Sequence, residues 1–431
     1  MFEWYAQHEK SVLNRKYLSS NRLIKNNCMK SSIFRFCLLV YISLFCVACS
    51  HSEKLSGNEF LIEGKISGVE DGVVIDLLRW DDNTGMRIAS DTLRNGRFIL
   101  KEEVETATER MTISPRGDGF PSMFLYVWGS PKAKVKIEGK GKLFPLWEVK
   151  SPVSYQKEEN LYKSKSKDII AEEAHISIEK GKAFSKIMAA SSRDEALPYM
   201  KIVDSLDVIN DALRIKRIFA DIGIMEKTEI STTWFDKMRV ISYEVKPSYA
   251  DKEHYNELRK RVEALYFKMS EEDKTTPQGY RITAYLFPPP VVGIGDDIVD
   301  TDLIDKNGNT TKISDYLGKY LLLDFWSLSC GPCIMSLPEM KEISEIYSEK
   351  LTIISISLDT KSRWELATNT YDMPWINIRD PKSYGGLAAN YGVNGIPSYV
   401  MISPEGKVID KWGGFGEGNL KRKVNKNIKS E

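Results

Sequence analysis

Histidine is scarce in this chain: four occur in 431 residues, at His8, His51, His175 and His254. That shortage limits both metal sites and Cys–His chemistry. Cysteine is also sparse and badly spread, because Cys28, Cys37, Cys46 and Cys49 crowd the N-terminus while Cys330 and Cys333 stand alone far downstream. A disulfide scaffold distributes its cysteines through a small secreted domain, so this chain is not one. There is no long basic run, and the formal net charge is +1. Electrostatics therefore point to neither nucleic acid nor an acidic membrane surface as partner. Apolar content is ordinary at 42%, enough for sizeable cores, and the length suits two or three domains of about 150 residues each.

What is present begins with an address. From Met29 the chain reads Met29-Lys30-Ser31-Ser32-Ile33-Phe34-Arg35, then runs apolar from Phe36 to Ala48. A short basic stretch, an apolar run of about a dozen residues and a small residue before the cut describe a secretory signal over 29–48. The run is shorter than the roughly 20 apolar residues of a membrane-spanning helix. Residues 1–28 are expected to be an upstream extension, with Met29 as the start. Cys46-Val47-Ala48-Cys49 resembles a bacterial lipoprotein signal, with small Ala48 before the cysteine to be lipidated. That resemblance implies lipidation at Cys49, membrane anchoring through lipid and a periplasm-facing place in the cell envelope; Cys46, where such signals usually carry Leu, is the departure.

Three stretches follow. Over 58–150 apolar residues alternate with period two, as in Phe60-Leu61-Ile62-Glu63-Gly64-Lys65-Ile66, and turn signals such as Arg94-Asn95-Gly96 separate the runs. Short strands at that spacing predict a small antiparallel β-sandwich. Trp80, Trp128 and Trp147 are expected in strand or core packing rather than on a binding face. The layout resembles the β-rich module that precedes thioredoxin domains in envelope proteins of Bacteroidetes-type bacteria. Over 154–287 the chain is charged, poor in Gly and Pro, and periodic at helical spacing. Leu206, Ile209, Leu213 and Ile218 mark one amphipathic helix; Tyr255, Leu258, Val262 and Leu265 mark another. Pro288-Pro289-Pro290 is a stiff break and a domain boundary.

The last stretch, 291–431, carries the chemistry. Tyr320 to Trp326 is an apolar run of strand length interrupted only by Asp324; Ser329-Cys330-Gly331-Pro332-Cys333 and a helical pattern follow. A strand leading into Cys-x-x-Cys at a helix start is the setting in which that spacing means redox chemistry. Unpaired amides and the helix dipole stabilise negative charge there, so the first cysteine is held as thiolate. The competing reading is half of a zinc site, which needs four Cys or His ligands. No third cysteine and no histidine lie between Pro288 and Glu431, so neither a metal nor any other cofactor is expected.

These residues resemble the thioredoxin superfamily, in its TlpA/ResA-like envelope branch, over about Val291 to Lys429. Cys330-Gly331-Pro332-Cys333 matches the reductant-type motif; Asp324-Phe325-Trp326 matches the preceding strand with its buried carboxylate. Pro338 matches the proline that kinks the first helix, Gly395-Ile396-Pro397-Ser398 the cis-proline loop, and Gly413-Gly414 the glycine region near the last helix. Ile354-Ser355-Ile356-Ser357-Leu358-Asp359 and Met373-Pro374-Trp375-Ile376-Asn377 look like the branch's extra segment. Two departures stand out: Ser329 precedes the first cysteine where Trp is common, and Ser336 stands where many ResA-like members carry Glu.

The resemblance implies an α/β thioredoxin-like domain at the end of a multidomain chain. It also implies a Cys330–Cys333 disulfide that cycles with its dithiol, Asp324 as the base for Cys333, and Pro397 as a substrate ledge. Gly331-Pro332 resembles the reducing end of the family, which implies a protein-disulfide reductase recharged by a membrane electron donor of the DsbD/CcdA type. Its partners are then disulfide-bearing envelope proteins, with apocytochrome c and cytochrome c maturation among the candidates. Two rivals stand beside this reading. One is a thioredoxin-fold peroxidase, although the Pro-x-x-x-Thr/Ser-x-x-Cys pattern is absent around Cys330; the other is a non-enzymatic envelope adaptor.

Overall fold

The computed structural model describes residues 55–81, 84–247, 250 and 253–429. The signal-like run 29–48, Met29 and the lipidation candidate Cys49 lie outside the described residues.

The β-rich stretch holds β1 (Glu59–Ser67), β2 (Val74–Asp81), β3 (Thr84–Thr92), β4 (Arg97–Glu103), β5 (Glu109–Pro115), β6 (Leu125–Gly129), β7 (Lys134–Lys140) and β8 (Glu148–Lys150). Two four-stranded sheets result, ordered β4-β1-β7-β8 and β3-β2-β5-β6. Alternate residues of β1 and β7 are buried, and Phe60, Ile62, Ile75, Leu77, Ile113 and Val135 enter one core shared by both sheets. Asn95 and Gly96 both take positive φ between Arg94 and Arg97, which exchange two backbone hydrogen bonds. This is the primed two-residue turn that Asn-Gly favours. The expected wholly antiparallel pairing is corrected at one place: β1 and β7 run parallel. The chain passes through β5 and β6 of the other sheet before returning as β7, and only such a crossover lets two strands point the same way. Trp128 and Trp147 are in the core, whereas Trp80 is half-buried and donates its indole N–H to Thr112 Oγ1 at 2.7 Å.

The helical stretch holds α1 (Ser154–Lys165), α2 (Lys167–Ala189), α3 (Arg193–Met225), α4 (Thr232–Glu244), α5 (Tyr255–Tyr266), α6 (Glu271–Lys274) and α7 (Pro277–Leu286). Polar caps start several of them: Ser192, Ser231 and Thr276 each accept a backbone N–H in the first turn, and Pro277 fills the first position of α7. Leu258, Val262 and Leu265 of α5 are buried with Trp234, Met238 and Ile282. The α3 stripe is only half covered. Leu213 and Ile218 are buried, but Ile209 is exposed.

The last stretch holds β9 (Leu303–Ile304), β10 (Thr310–Thr311), β11 (Tyr320–Trp326), α8 (Gly331–Ile346), β12 (Leu351–Ser357), α9 (Lys361–Thr370), β13 (Ile376–Arg379), α10 (Leu387–Asn390), β14 (Ser398–Ile402), β15 (Val408–Gly413) and α11 (Asn419–Lys429). Its sheet runs β10-β9-β13-β12-β11-β14-β15. The central strand β11 is buried along its whole length, parallel to β12 and antiparallel to β14. Strand alternation splits its side chains between two cores. Leu321, Leu323 and Phe325 face one side; Tyr320 and Leu322 face the other, with Met340 of α8 and Val424 of α11. Asp324 has the parity of the second set.

Candidate functional site

Cys330 is the N-cap of α8, and its Sγ accepts the backbone N–H of Cys333 at 3.2 Å. The geometry follows from the motif: Gly331 and Pro332 open the helix, and Pro332 has no N–H to leave unpaired. Cys330 and Cys333 are joined by a disulfide with Cα atoms 5.2 Å apart. Cys330 is half-exposed, whereas Cys333 is buried among Trp326, Leu337 and Trp364. Only the first sulfur is therefore open to another molecule.

The loop before Cys330 is braced from below. Leu328 N–H donates to Asp359 Oδ2 at 2.7 Å, and Ser357 Oγ donates to the same oxygen at 3.1 Å. Arg363 Nε reaches Asp359 Oδ1 at 3.4 Å. Burial pushes the Asp359 carboxyl up, opposed by the Leu328 amide and the Arg363 charge. Ser329 lies at the rim, where its hydroxyl is 3.1 Å from that of Ser327.

Asp324 is 1% exposed. Its Oδ2 accepts Ser355 Oγ at 2.8 Å, and Ser355 Oγ in turn accepts the Trp375 indole N–H at 2.9 Å. Its Oδ1 has no hydrogen-bond partner among the described residues. Burial raises its carboxyl to about 7, against a smaller lowering by Ser355. It is thus an acid able to change protonation near neutral pH in a place closed to water. Ser336 is buried in the first turns of α8, with its hydroxyl donating to the Cys333 carbonyl at 2.7 Å. No carboxylate takes the place that Glu occupies in many ResA-like proteins.

Pro397 begins the run into β14, after a cis Ile396–Pro397 bond. Because Ser398 pairs with Phe325 across β11 and β14, this loop is held at the level where β11 gives way to the Cys330 loop. Ile396 packs beside Cys330 and Trp326. Cys330, Ile396, Ser329, Pro332, Leu358 and Tyr384 line a cleft of ≈ 270 Å³. Cys330, Cys333 and Ile396 pack with Trp326 at the end of β11, Asp324 lies two positions earlier on that strand, and Pro397 precedes Ser398, which pairs with Phe325.

Three participants were not picked out from sequence. Ser355 and Asp359 lie in the alternating Ser355-Ile356-Ser357-Leu358-Asp359 run; polar residues at every second place of a buried strand are a readable sign of an internal polar face. Arg281, from α7 of the helical stretch, also lines the cleft. Nothing in its local sequence marks it, because the docking of α7 against residues 383–385 brings it there.

Residues 294–411 match the AhpC/TSA family. The thioredoxin-like protein YneN of Bacillus subtilis is 28% identical over 125 residues, which is 28% of this chain and 72% of YneN. The thiol-disulfide oxidoreductase ResA of Bacillus thuringiensis is 30% identical over 120 residues, 27% of this chain and 68% of ResA. A solved thiol:disulfide interchange protein from Bacteroides sp. is 25% identical and covers 32% of this chain and 94% of its own, with a TM-score of 0.30.

Proposed function

We propose that this chain, which belongs to the thioredoxin-like thiol–disulfide oxidoreductases, reduces disulfides of cell-envelope proteins through Cys330 and Cys333. The observation that carries this reading is the asymmetry of the pair: a half-exposed sulfur on a helix N-terminus and a buried one behind it. Cys330, as thiolate, attacks one sulfur of the substrate disulfide; a Cys330–substrate disulfide forms, and the substrate's other sulfur leaves and takes a proton. Cys333 then loses its proton and attacks Cys330 Sγ. The Cys330–Cys333 disulfide forms, and the second substrate thiol is released. Two electrons have passed from the pair to the substrate; both substrate sulfurs leave as thiolates and take their protons from solvent, while the Cys333 proton passes to a base. Asp324, neutral or ionised according to pH near 7, is the base that receives the Cys333 proton. The backbone around Pro397 is the ledge on which the substrate chain lies.

Gly331-Pro332 supports the reducing direction, toward thioredoxin's potential near −270 mV rather than the oxidant DsbA's near −120 mV. A reductase facing an oxidising compartment must be recharged, here by a membrane dithiol donor of the DsbD/CcdA type. Lipidation at Cys49 would hold the protein on the membrane, and apocytochrome c is one candidate substrate. The β-rich module is read as a sandwich, because both sheets share one core.

The test is trapping. Cys333→Ser should accumulate mixed disulfides at Cys330 in envelope extracts, and Cys330→Ser should neither trap nor turn over. Trapping through Cys333 instead would reverse the order of attack. A measured potential near that of DsbA would reverse the direction.

A further inference from the structure

The cleft at Cys330 does not end in the thioredoxin-like domain. It meets a larger one, of ≈ 550 Å³, at two shared lining residues, Arg281 and Ser383. The larger cleft lies between the β-rich module and the helical stretch; Trp80, Phe124 and Tyr126 line one wall, and Asp236 and Arg239 of α4 the other. Its carboxylates are already engaged. Asp236 pairs with Arg110 at 2.7 Å, and Glu109 pairs with Arg79.

Two cations remain. Arg281 donates Nε to Tyr285 Oη at 2.7 Å, and its guanidinium lies 4.5 Å from the centre of the Tyr384 ring. Those contacts hold the side chain in place without neutralising it. Neither Arg281 nor Arg239 has a carboxylate partner among the described residues. Burial and the neighbouring Arg281 charge both pull the Arg239 guanidinium down from its ordinary value. Two like charges held together in a half-closed groove favour an anionic occupant.

The arrangement of α7 is not accidental contact. A Cβ on Gly385 would come within 2.3 Å of the Tyr280 backbone carbonyl carbon, so α7 is seated directly on the 383–385 turn. The position of Arg281 relative to Cys330 is thereby set by backbone-to-backbone packing.

We propose that the groove from Cys330 past Arg281 to Arg239 docks an extended, acidic segment of a protein substrate beside its disulfide. The aromatic wall of the β-rich module supplies the apolar side of that groove. This rests on the reading that Cys330 is the attacking sulfur. Arg281 is then a positioning residue for substrate choice, contributed by a region outside the redox domain.

The test uses the full chain, reduced and freed of reductant, in single-turnover reactions. Its substrates are two peptide disulfides, identical except for Asp or Lys flanking the cysteine, and the neutral bis(2-hydroxyethyl) disulfide. The wild type should react about tenfold or more faster with the Asp peptide than with the Lys peptide at low salt, and the gap should shrink at about 0.5 M salt. Arg281→Gln should cut that ratio to about threefold or less, while Arg281→Lys should retain most of it, because the charge and not the fork geometry steers an exposed carboxylate. Arg239→Gln provides the same reading should Arg281→Gln fail to fold. Equal rates for the two peptides, or a ratio unchanged in both Gln variants, would overturn the proposal. No reaction with any disulfide, the neutral one included, would instead bring down the dithiol reading and the docking proposal with it.

Discussion

Replacing Asp324 by Asn should stabilise the protein at neutral and alkaline pH, and the gain should vanish in acid. The folded carboxyl holds its proton up to about 7, whereas the ordinary value is 3.8. Between those values the folded state binds more protons than the unfolded chain, so stability falls as pH rises, by up to about 1.4 kcal/mol per pH unit. Well above both values the ionised carboxyl costs ~4 kcal/mol, worked from roughly three pH units at that slope. Asn carries no charge, keeps an acceptor for Ser355 Oγ, and introduces a buried amide that costs ~1–2 kcal/mol where it finds no acceptor. The net effect is a variant more stable by ~2–3 kcal/mol at about pH 8, and the advantage over wild type should shrink by ~2.5 kcal/mol on going to about pH 5. Urea unfolding of the full chain in its disulfide form, read by pulse proteolysis of the C-terminal domain, measures this at each pH. A difference between variant and wild type that does not change with pH would refute the buried-charge account.

The same group predicts a rate profile: release of substrate from the Cys330 mixed disulfide should speed up as pH rises through about 7, and Asp324→Asn should flatten that rise. Stopped-flow fluorescence of single turnovers measures it. Ser355→Ala removes the hydrogen bond that lowers the Asp324 carboxyl, so the midpoint of that profile should move to higher pH; a midpoint that moves down would contradict the assigned contact. Gly385→Ala places a Cβ against the Tyr280 backbone and should cost ~1–3 kcal/mol by overpacking. Proteolysis near Pro288-Pro289-Pro290 should become faster as α7 lifts, and an unchanged rate would show that the contact yields without opening. Gly96→Ala forces a side chain into positive φ, where its Cβ would lie 2.4 Å from the Ile66 carbonyl oxygen. It should cost more than the ~0.4–1 kcal/mol of an ordinary glycine change, checked by thermal unfolding of the β-rich module.

The redox centre was legible because its signals are local. The Tyr320–Trp326 run, the Cys330-Gly331-Pro332-Cys333 spacing and the helix after it are contiguous, and contiguous residues declare a strand–helix junction by periodicity alone. Asn95-Gly96 was legible for the same reason, since a two-residue turn is written in two residues. The Ser355–Trp375 contact beneath Asp324 was not, because the parallel register that sets Ser355 opposite Asp324 is a tertiary pairing. The parallel β1–β7 pairing escaped as well: alternation reports which face a strand buries, and direction depends on where the chain has been in between.

Sequence by itself determined where the sulfurs sit, that no histidine accompanies them, and that one carboxylate interrupts the strand beneath. Tertiary structure alone decided which sulfur meets solvent and how far burial lifts the Asp324 carboxyl. It also decided that Arg281, 49 positions before Cys330, stands at its cleft. Exposure, desolvation and the docking of α7 on the 383–385 turn are properties of what surrounds a residue, and those surroundings are assembled from distant parts of the chain.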